Sequence, residues 1–406
     1  MSDSALLPCT FDFCHEEVPR ELLQIHVDGH VAEQLAIEQA LQQKQRPMPT
    51  KRKFEEDKEE PSTKRTCTSL GFARDRLSSQ ENIWGQAVPP TRRGRDVLRQ
   101  LQLRLSEQKN KDERIYLSSL STEEIVGEFW DKGWSCGYRN CQMLLSFLEK
   151  QEERSRPLVR HVPDIVSLQR LLEAAWKEAA PTPRAHRLVR RGYDPAGASQ
   201  LDHRVHETRK WIGTTEVYVM LTYLGIRCTI LDFDMNAGRH DILLDWVQHY
   251  YESALRQTQP SQHKNAFERL MHASACESKS VHLTDRPPIY LQHQGHSRTI
   301  VGIETSARRR TLICFDPGRR LLRRTQQQAT AAAAAAVELS PHTFRVDAKA
   351  IAKNDQYQLL VPGHVVDGRT STDRSVTRIS WQSSSGYLLT DQEQHGRKYI
   401  TSIRVT

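Results

Sequence analysis

The chain has 406 residues, of which 37% are hydrophobic and 27% are charged, and its formal net charge at pH 7 is +8. That length accommodates two or three domains with one sizeable core, and the low apolar content indicates a substantial fraction outside it. No run approaches the roughly 20 apolar residues of a membrane helix, and the N-terminus lacks a signal-peptide pattern, so an intracellular protein without a membrane partner is expected. The eight scattered cysteines favour reduced thiols over a disulfide framework.

The first 45 residues are predicted to form a C2H2-type zinc finger followed by a helix. Cys9 and Cys14 lie close enough in sequence to share a turn, and His26 and His30, at i and i+4, would share one helix face. Two thiolates and two imidazoles are a tetrahedral ligand set for structural zinc. Because so small a segment would not fold without metal, the predicted cofactor is Zn²⁺ in a structural role.

The finger helix is predicted to continue as VAEQLAIEQALQQKQ. Its acidic-then-apolar pattern resembles a ubiquitin-interacting helix, and a plain extension of the finger helix is the alternative. A finger that reads DNA would carry basic residues at its helix start, whereas HEEVPRELL offers three glutamates against one arginine. Phosphate repulsion argues against DNA recognition there. Basic clusters over 184–210 and 304–324 leave direct nucleic-acid binding open.

Residues 46–94 are predicted to be a disordered linker, because charge and proline dominate them and apolar side chains are scarce. Two basic clusters within it, Lys51 to Lys53 and Lys64-Arg65, are separated by ten residues. This spacing resembles a bipartite nuclear localisation signal. A location in both nucleus and cytoplasm is therefore expected.

Residues 95–361 are predicted to form one domain in which apolar helical runs alternate with β-rich runs. Four of the β-rich runs are clear strands: 226–233, 288–294, 297–304 and 311–317. The last three follow closely in sequence and are expected to pair as an antiparallel sheet. The alanine-rich run 326–336 is expected to be a surface insert. Residues 362–406 turn to Ser, Thr, Gly and Arg, and are predicted to be a C-terminal extension of unknown role.

The stretch GWSCGYRNCQMLL puts Cys136 at the start of an apolar, helix-like run. Unpaired N–H groups and the helix dipole at such a position favour negative charge and lower the pKa of a thiol. Gly133 and Gly137 allow a backbone or a substrate to come close, and Trp134 can form the wall of a cleft. Cys141, about one and a half turns further on, is interpreted as a packing residue.

A thiol nucleophile needs an imidazole to accept its proton and a group to orient that imidazole. His296 lies between two strand-like runs, and Asp316 ends the next strand before a Pro-Gly turn. Cysteine, then histidine about 160 residues on, then aspartate on the adjacent strand is the papain-like order. Spacing alone leaves an alternative to a catalytic triad open, in which Cys136 is a core residue, His296 a loop residue and Asp316 a turn residue.

Four co-linear motifs resemble peptidase family C78: GWSCGYRNCQMLL, RKWIGTTEVYVMLTYLGIRCTILDF, IYLQHQGHSRTIVGIE and ICFDPG. They are similar in particular to the family's zinc-finger-containing ubiquitin peptidase branch. The resemblance implies an α+β fold, with a papain-like cysteine protease core behind a C2H2-type finger. It also implies a linkage-selective deubiquitinase that prefers the extended, non-degradative chains of DNA-repair signalling. The implied partners are ubiquitin, polyubiquitin chains, and ubiquitylated DNA-repair or chromatin-associated proteins.

Carried over position by position, the resemblance implies Cys136 as nucleophile, His296 as base and Asp316 as the orienting carboxylate. It implies Gln292 as the amide that stabilises the oxyanion together with the backbone N–H of Cys136. No cofactor is implied for catalysis itself.

Two residues in KWIGTTE, Trp211 and Glu216, match positions expected to contact the ubiquitin tail. That tail carries arginines and ends in Gly-Gly, so a carboxylate can pair with the arginines while tryptophan walls admit only glycines. Core packing is the alternative for Trp211.

The chain also departs from the family's patterns. Proteases for the ubiquitin-fold modifier use the order Cys, Asp, His with a D-P-H motif, whereas this chain reads Asp316-Pro317-Gly318. Ser135 stands where the family usually has glycine, and activity requires that this position not need a positive φ. The alternatives are a protease for the ubiquitin-fold modifier, a non-catalytic ubiquitin-binding adaptor and a nucleic-acid-binding finger protein.

Overall fold

The structure is a computed structural model, and it describes most of the chain beyond residue 83 and two short strands before it. The described residues are 6–8, 17–19, 84–108, 112–153, 156–178, 192–235, 239, 241–257, 281–307, 309–318 and 339–405. The predicted zinc ligands, the helix predicted to follow them, the two basic clusters of the linker and the alanine-rich insert lie outside these residues. Those interpretations therefore stay predictions.

Seventeen strands and eight α-helices lie within the described residues. The strands are β1 (Leu6–Pro8), β2 (Glu17–Pro19), β3 (Arg93–Gly94), β4 (Arg114–Leu117), β5 (Glu124–Ile125), β6 (Glu152–Glu153), β7 (Arg156–Pro157), β8 (Cys228–Asp234), β9 (Val281–Leu283), β10 (Ile289–His293), β11 (His296–Thr305), β12 (Arg310–Phe315), β13 (Arg345–Asp347), β14 (Gln356–Pro362), β15 (His364–Asp367), β16 (Ile379–Gln382) and β17 (Ser402–Val405). The helices are α1 (Val97–Glu107), α2 (Cys136–Glu149), α3 (Ile165–Lys177), α4 (Pro195–Gln200), α5 (Thr214–Tyr223), α6 (Ile242–Gln257), α7 (Ala348–Ile351) and α8 (Asp391–Gly396).

A nine-stranded sheet organises the described region, with the order β13-β12-β11-β10-β14-β8-β17. The other two strands extend it beside β11, where β4 pairs with the second half of that strand and β9 pairs with β4. Neighbours are antiparallel except for the parallel pairs β8–β17 and β4–β9. The antiparallel pairing of β10, β11 and β12 and the α+β class are thereby confirmed.

Both faces of this sheet are covered, because side chains alternate between them along each strand. On β10, Tyr290 joins the core formed with α2, α3 and α5, while Ile289 and Leu291 join the core formed with α6. On β12, Phe315 faces the first core and Cys314 the second. This two-sided burial explains why the central strands are almost continuously apolar.

Both predicted boundaries of the domain need correction. β17 pairs with β8, with Ile403 opposite Leu231, so the chain beyond residue 361 contributes a strand to the sheet. Before residue 95, Trp84 and Val88 are buried in the core formed with α2. The parallel pairing of β17 depends on a strand far earlier in the chain, and no local pattern signals it.

The helices of the described ranges are short or carry charged side chains at intervals. None of them combines the length and the apolar content that a membrane-spanning helix requires.

Candidate active site

Cys136 is the first residue of α2, and its side chain is partly buried. Ser135 is the N-cap and is buried, with a φ of −88° that any residue adopts. The serine at this position therefore does not strain the backbone. The positive φ in this segment, +88°, belongs to Gly133. A Cβ on Gly137 would lie 2.3 Å from the carbonyl oxygen of Ile212, so glycine permits a close backbone approach beside the thiol.

His296 and Asp316 are brought together by the β10–β11 hairpin and by β12. His296 opens β11 directly after a turn at Gly295, whose φ is +82°. Asp316 directly follows β12, which is paired with β11. His296 Nε2 lies 3.0 Å from Asp316 Oδ1. Since Nε2 faces the carboxylate, Nδ1 is the ring nitrogen left to interact with Cys136.

The electrostatics of these three groups favour an ion pair. Burial alone would raise the pKa of the Cys136 thiol, but hydrogen bonds with His296 and Ser297 lower it below its ordinary value. Burial disfavours the imidazolium, yet hydrogen bonds and charges of Asp316 and Cys136 raise the pKa of His296 to about 9. These opposite shifts of the two pKa values favour the thiolate–imidazolium form of the pair over the neutral form, and the thiolate is the form in which a cysteine reacts as a nucleophile.

Asp316 is held ionised despite its burial. Burial would raise its pKa, but hydrogen bonds and charges of His296 and Arg298 hold that pKa well below its usual range. Its Oδ1 also accepts from Gly318 N at 3.0 Å. A buried carboxylate with this many donors is stable as an anion, and it can stabilise an imidazolium throughout the neutral range.

A buried polar network connects the helix that begins at Cys136 to the strand that begins at His296. Asn140 Nδ2 donates to Cys136 O at 2.8 Å and to Ser297 Oγ at 3.0 Å. Its Oδ1 accepts from Thr299 Oγ1 at 2.8 Å. Asn140, Ser297 and Thr299 are all fully buried. Because each amide atom of Asn140 is used, the network fixes the position of α2 relative to β11.

The predicted oxyanion residue, Gln292, is engaged in the hairpin. Its Nε2 donates to His293 O at 2.7 Å and to His296 O at 3.2 Å. Its Oε1 accepts from Tyr290 Oη at 2.9 Å. The amide thus braces the turn that presents His296. An oxyanion role requires that one of these N–H bonds be exchanged for a bond to substrate, and it stays a prediction.

Trp211 lies in the segment that leads into α5, and Glu216 lies in the first turn of that helix. Trp211 is partly buried and packs against the core. Glu216 caps the start of α5, with its Oε2 accepting from Gly213 N at 2.7 Å. A Cβ on Gly213 would lie 3.7 Å from Glu216 Oε2 and 3.8 Å from Gln292 Oε1. The structure therefore brings Glu216 and Gln292 to the same place, although capping already occupies the Glu216 carboxylate.

The wall predicted at Trp134 needs correction. Trp134 is 5% exposed and packs edge-on against Tyr138, with ring centroids 5.7 Å apart. Trp130, which the sequence did not single out, lies 5.9 Å from the Trp134 ring and is 46% exposed. The exposed indole of this segment is thus Trp130. Its spacing of four residues from Trp134 was the available signal, but a pair of tryptophans does not tell which one is buried.

The segment 127–134 is fixed at both ends. A Cβ on Gly127 would lie 3.0 Å from the carbonyl oxygen of Pro317, which follows Asp316. Asp131 accepts from Glu128 N at 2.8 Å, and its other oxygen accepts from Arg139 Nε at 2.9 Å. The segment that carries Trp130 is therefore tied to the residue after Asp316 at one end and to α2 at the other.

Another residue that the sequence did not single out is Arg298, whose Nε donates to Asp316 Oδ2 at 2.7 Å. Its position two residues after His296, on the same face of β11, was the available signal. Cys141, by contrast, is fully buried, and burial raises its pKa well above the ordinary value, which confirms it as a packing residue.

The described side chains also bear on whether this part of the chain can hold a metal ion. Within the described ranges no group of three or more His, Cys, Asp or Glu side chains could hold a metal ion. The predicted zinc ligands fall outside those ranges.

The chain matches a family model and several known proteins. The model of peptidase family C78 matches residues 111–360. Zinc finger-containing ubiquitin peptidase 1 of Homo sapiens is 32% identical over 342 residues, which are 73% of this chain and 53% of that protein. The Bos taurus protein of the same name is 40% identical over 210 residues, 50% of this chain and 30% of its own. The chain spans about half the length, or less, of these relatives.

Two more distant matches are of different kinds. Ubiquitin carboxyl-terminal hydrolase mug105 of Schizosaccharomyces pombe is 32% identical over 193 residues, 47% of this chain and 62% of that protein. A crystal structure of UfSP from C. elegans aligns with a TM-score of 0.30 and 14% identity over 57% of this chain and 30% of the other. The structural likeness is too weak to carry an argument.

Proposed function

Since the chain belongs to peptidase family C78, we propose that it is a papain-like cysteine peptidase that hydrolyses isopeptide bonds in ubiquitin chains. The observation that carries this proposal is the placement of His296 between Cys136 and Asp316, with Nε2 3.0 Å from Asp316 Oδ1. The opposite shifts of the Cys136 and His296 pKa values support a thiolate ready to react. The choice of ubiquitin is supported by the names of the sequence relatives.

The reaction begins when the Cys136 thiolate attacks the carbonyl carbon of ubiquitin's terminal glycine. The carbonyl oxygen becomes an oxyanion, which the Cys136 backbone N–H and the Gln292 amide would hold. The His296 imidazolium then gives its proton to the lysine amine, the C–N bond breaks, and a thioester remains. Water, deprotonated by His296, attacks the thioester, releases the ubiquitin carboxylate and restores the thiolate.

Recognition of the tail is assigned to the two segments that flank Cys136. Trp211 and Glu216 lie on one side, where the Glu216 carboxylate can pair with a tail arginine if it leaves its cap. Trp130 takes the wall role first predicted for Trp134, because its indole is exposed and its Nε1 donates to Glu128 Oε2 at 2.9 Å. A narrow passage between aromatic walls would admit glycines and exclude larger residues.

The finer specificity follows the resemblance described for the sequence. The proposed substrates are extended, non-degradative lysine-linked chains, on DNA-repair or chromatin-associated proteins in nucleus and cytoplasm. The predicted zinc finger and its following helix would hold a further ubiquitin and raise the local concentration of substrate.

A panel of di-ubiquitin linkages incubated with the wild type and with Cys136→Ala tests this function. We expect the wild type to cleave the extended linkage fastest and Cys136→Ala to cleave none. Activity probes built on ubiquitin and on the ubiquitin-fold modifier provide the second arm. Labelling by the modifier probe alone would contradict the choice of ubiquitin, and binding without cleavage by the wild type would indicate an adaptor instead.

A further inference from the structure

Arg298 occupies a special position behind the catalytic groups. It lies two residues after His296 on β11, so the two side chains project from the same face of the strand. Its Nε donates to Asp316 Oδ2 at 2.7 Å, and its Nη1 lies 3.3 Å from His293 Nε2. The side chain is only 22% exposed. The guanidinium therefore bridges the last residue of β10 and the residue that follows β12, and these two strands are the neighbours of β11 in the sheet.

Asp316 can use such a partner because it is a buried anion. Its side chain is 8% exposed, and its Oδ1 already accepts from His296 Nε2 and Gly318 N. Burying a carboxylate is costly unless both oxygens are hydrogen-bonded. The bond from Arg298 to Oδ2 is charge-assisted, and it fixes the rotation of the carboxylate about its Cβ–Cγ bond. That rotation decides whether Oδ1 faces His296.

Arg298 is in turn held by a neutral histidine. His293 Nδ1 lies 2.9 Å from Gln294 O, so Nδ1 carries the hydrogen and Nε2 is left as an acceptor. The Nη1 of Arg298 donates to that acceptor. Burial and the charge of Arg298 lower the pKa of His293 to about 4, so the histidine stays neutral near pH 7. The guanidinium thus has a fixed partner at each end.

We propose that Arg298 is a positioning residue of the peptidase reaction: anchored by His293, it fixes Asp316, which in turn orients His296 toward Cys136. This inference rests on the proposed peptidase function. Arg298 does not touch the thiol, and its effect passes through the carboxylate. A cation near Asp316 also weakens the attraction of that carboxylate for the imidazolium, so removing Arg298 changes both charge and orientation.

Variants at position 298 separate these effects. Arg298→Lys keeps the charge but cannot donate to Asp316 and His293 with one planar group, whereas Arg298→Leu removes both the charge and the donors. We expect Arg298→Leu to lower kcat on a ubiquitin C-terminal fluorogenic substrate about 10- to 100-fold, with KM changed less than about twofold. Arg298→Lys should recover part of kcat, and added guanidinium ion should partly restore Arg298→Leu, while sodium chloride at the same concentration should not.

A matched control exists in the same sheet, at an arginine of β13 whose carboxylate partner lies on β11. Arg345 pairs with Glu304 of β11, with Nε 2.8 Å from Oε2, and Glu304 is 2% exposed. Arg345→Leu therefore removes a second buried arginine–carboxylate pair from the sheet. Thermal unfolding of both leucine variants measures the cost to stability. We expect kcat per folded molecule to fall in Arg298→Leu and to be unchanged in Arg345→Leu.

Alkylation of Cys136 by iodoacetamide supplies a readout that does not depend on ubiquitin. At neutral pH it should be several-fold slower in Arg298→Leu than in the wild type, because a misoriented imidazole stabilises less thiolate. If the wild type proves inactive on ubiquitin, this arm still tests Arg298. A rise in KM with kcat unchanged would overturn the proposal in favour of substrate contact. Equal losses in Arg298→Leu and Arg345→Leu, or unchanged alkylation, would overturn it in favour of a structural role.

Discussion

The first turn of α2 and its interior each contain a cysteine, five residues apart, and the two have opposite chemistry. Cys136 lies among hydrogen-bonding groups, and its pKa is lowered by His296 and Ser297 against the effect of burial. Cys141 lies in the apolar core, where burial raises its pKa. The pKa of the same residue type on the same helix is thus shifted in opposite directions by its neighbours, and a lowered pKa is what the proposed nucleophile requires. Five predictions test this contrast, from the largest effect to the smallest.

Replacing each cysteine by alanine should separate the two most strongly. Cys136→Ala should lower kcat/KM on a ubiquitin fluorogenic substrate by about 10⁴-fold or more, because no other group can form the thioester. Cys141→Ala should keep activity and lose only about 1 kcal/mol of stability, since it removes one buried sulfur. Comparable losses of activity in the two variants, after correction for folding, would contradict the contrast.

Asp316→Asn should remove the negative charge that stabilises the His296 imidazolium while keeping a side chain of the same size. We expect kcat/KM to fall about 10²- to 10⁴-fold, because the amide neither stabilises the charge nor fixes the ring nitrogen that faces Cys136. The pKa of His296 should fall from about 9 toward its ordinary value. Steady-state kinetics measures the first change and a pH titration of Cys136 alkylation measures the second. An unshifted alkylation profile would argue against the pairing of His296 with Asp316.

The pH dependence of the wild type should follow the raised pKa of His296. Activity should decline by about tenfold per pH unit above pH 9, as the imidazolium loses the proton destined for the leaving amine. Folding stability should change with pH in the same direction. Because the pKa of His296 is about 9 in the folded protein and 6.5 in the unfolded chain, its protonation stabilises the folded state fully below pH 6.5. That contribution to the free energy of unfolding is lost as the pH rises through about 9. Unfolding midpoints from pH 6 to pH 10 test it, and His296→Gln should flatten this part of the curve.

Asn140→Ala should loosen the first turn of α2 from β11. The change removes three hydrogen bonds and leaves buried groups of Ser297 and Thr299 with one partner fewer. We expect a loss of about 1–3 kcal/mol in the free energy of unfolding. Activity per folded molecule should fall by less than in Asp316→Asn. Denaturant unfolding checks the first value, and an unchanged midpoint would show that the network contributes little.

Trp130→Ala should have the smallest effect of the five changes, and that effect should be on substrate binding. We expect KM for the ubiquitin substrate to rise about threefold to tenfold with kcat nearly unchanged, as for loss of uniform binding. Leu103→Ala on α1 serves as the control, because that side chain is 58% exposed and has no assigned role. A fall in kcat at constant KM would instead assign Trp130 to positioning of the catalytic groups.

Local sequence patterns predicted much of this site, and long-range contacts account for the rest. The helix beginning at Cys136 and the hairpin that presents His296 follow from glycine placement, apolar runs and β-rich runs close together in sequence. The ion pair of Arg298 with Asp316 depends on the register of β11 against β12, and an unpaired surface arginine would look the same in the sequence. The burial of Trp134 beneath Trp130 depends on how the preceding segment turns, which residue type does not specify.

The most direct test of the account is to map the adduct of a ubiquitin probe that carries a C-terminal electrophile. Peptide mapping by mass spectrometry should find one equivalent of probe on Cys136, formed in the wild type and slowed strongly by His296→Ala. Modification of a different cysteine, or labelling of Cys136 at the same rate without His296, would contradict a His296-activated nucleophile at the start of α2.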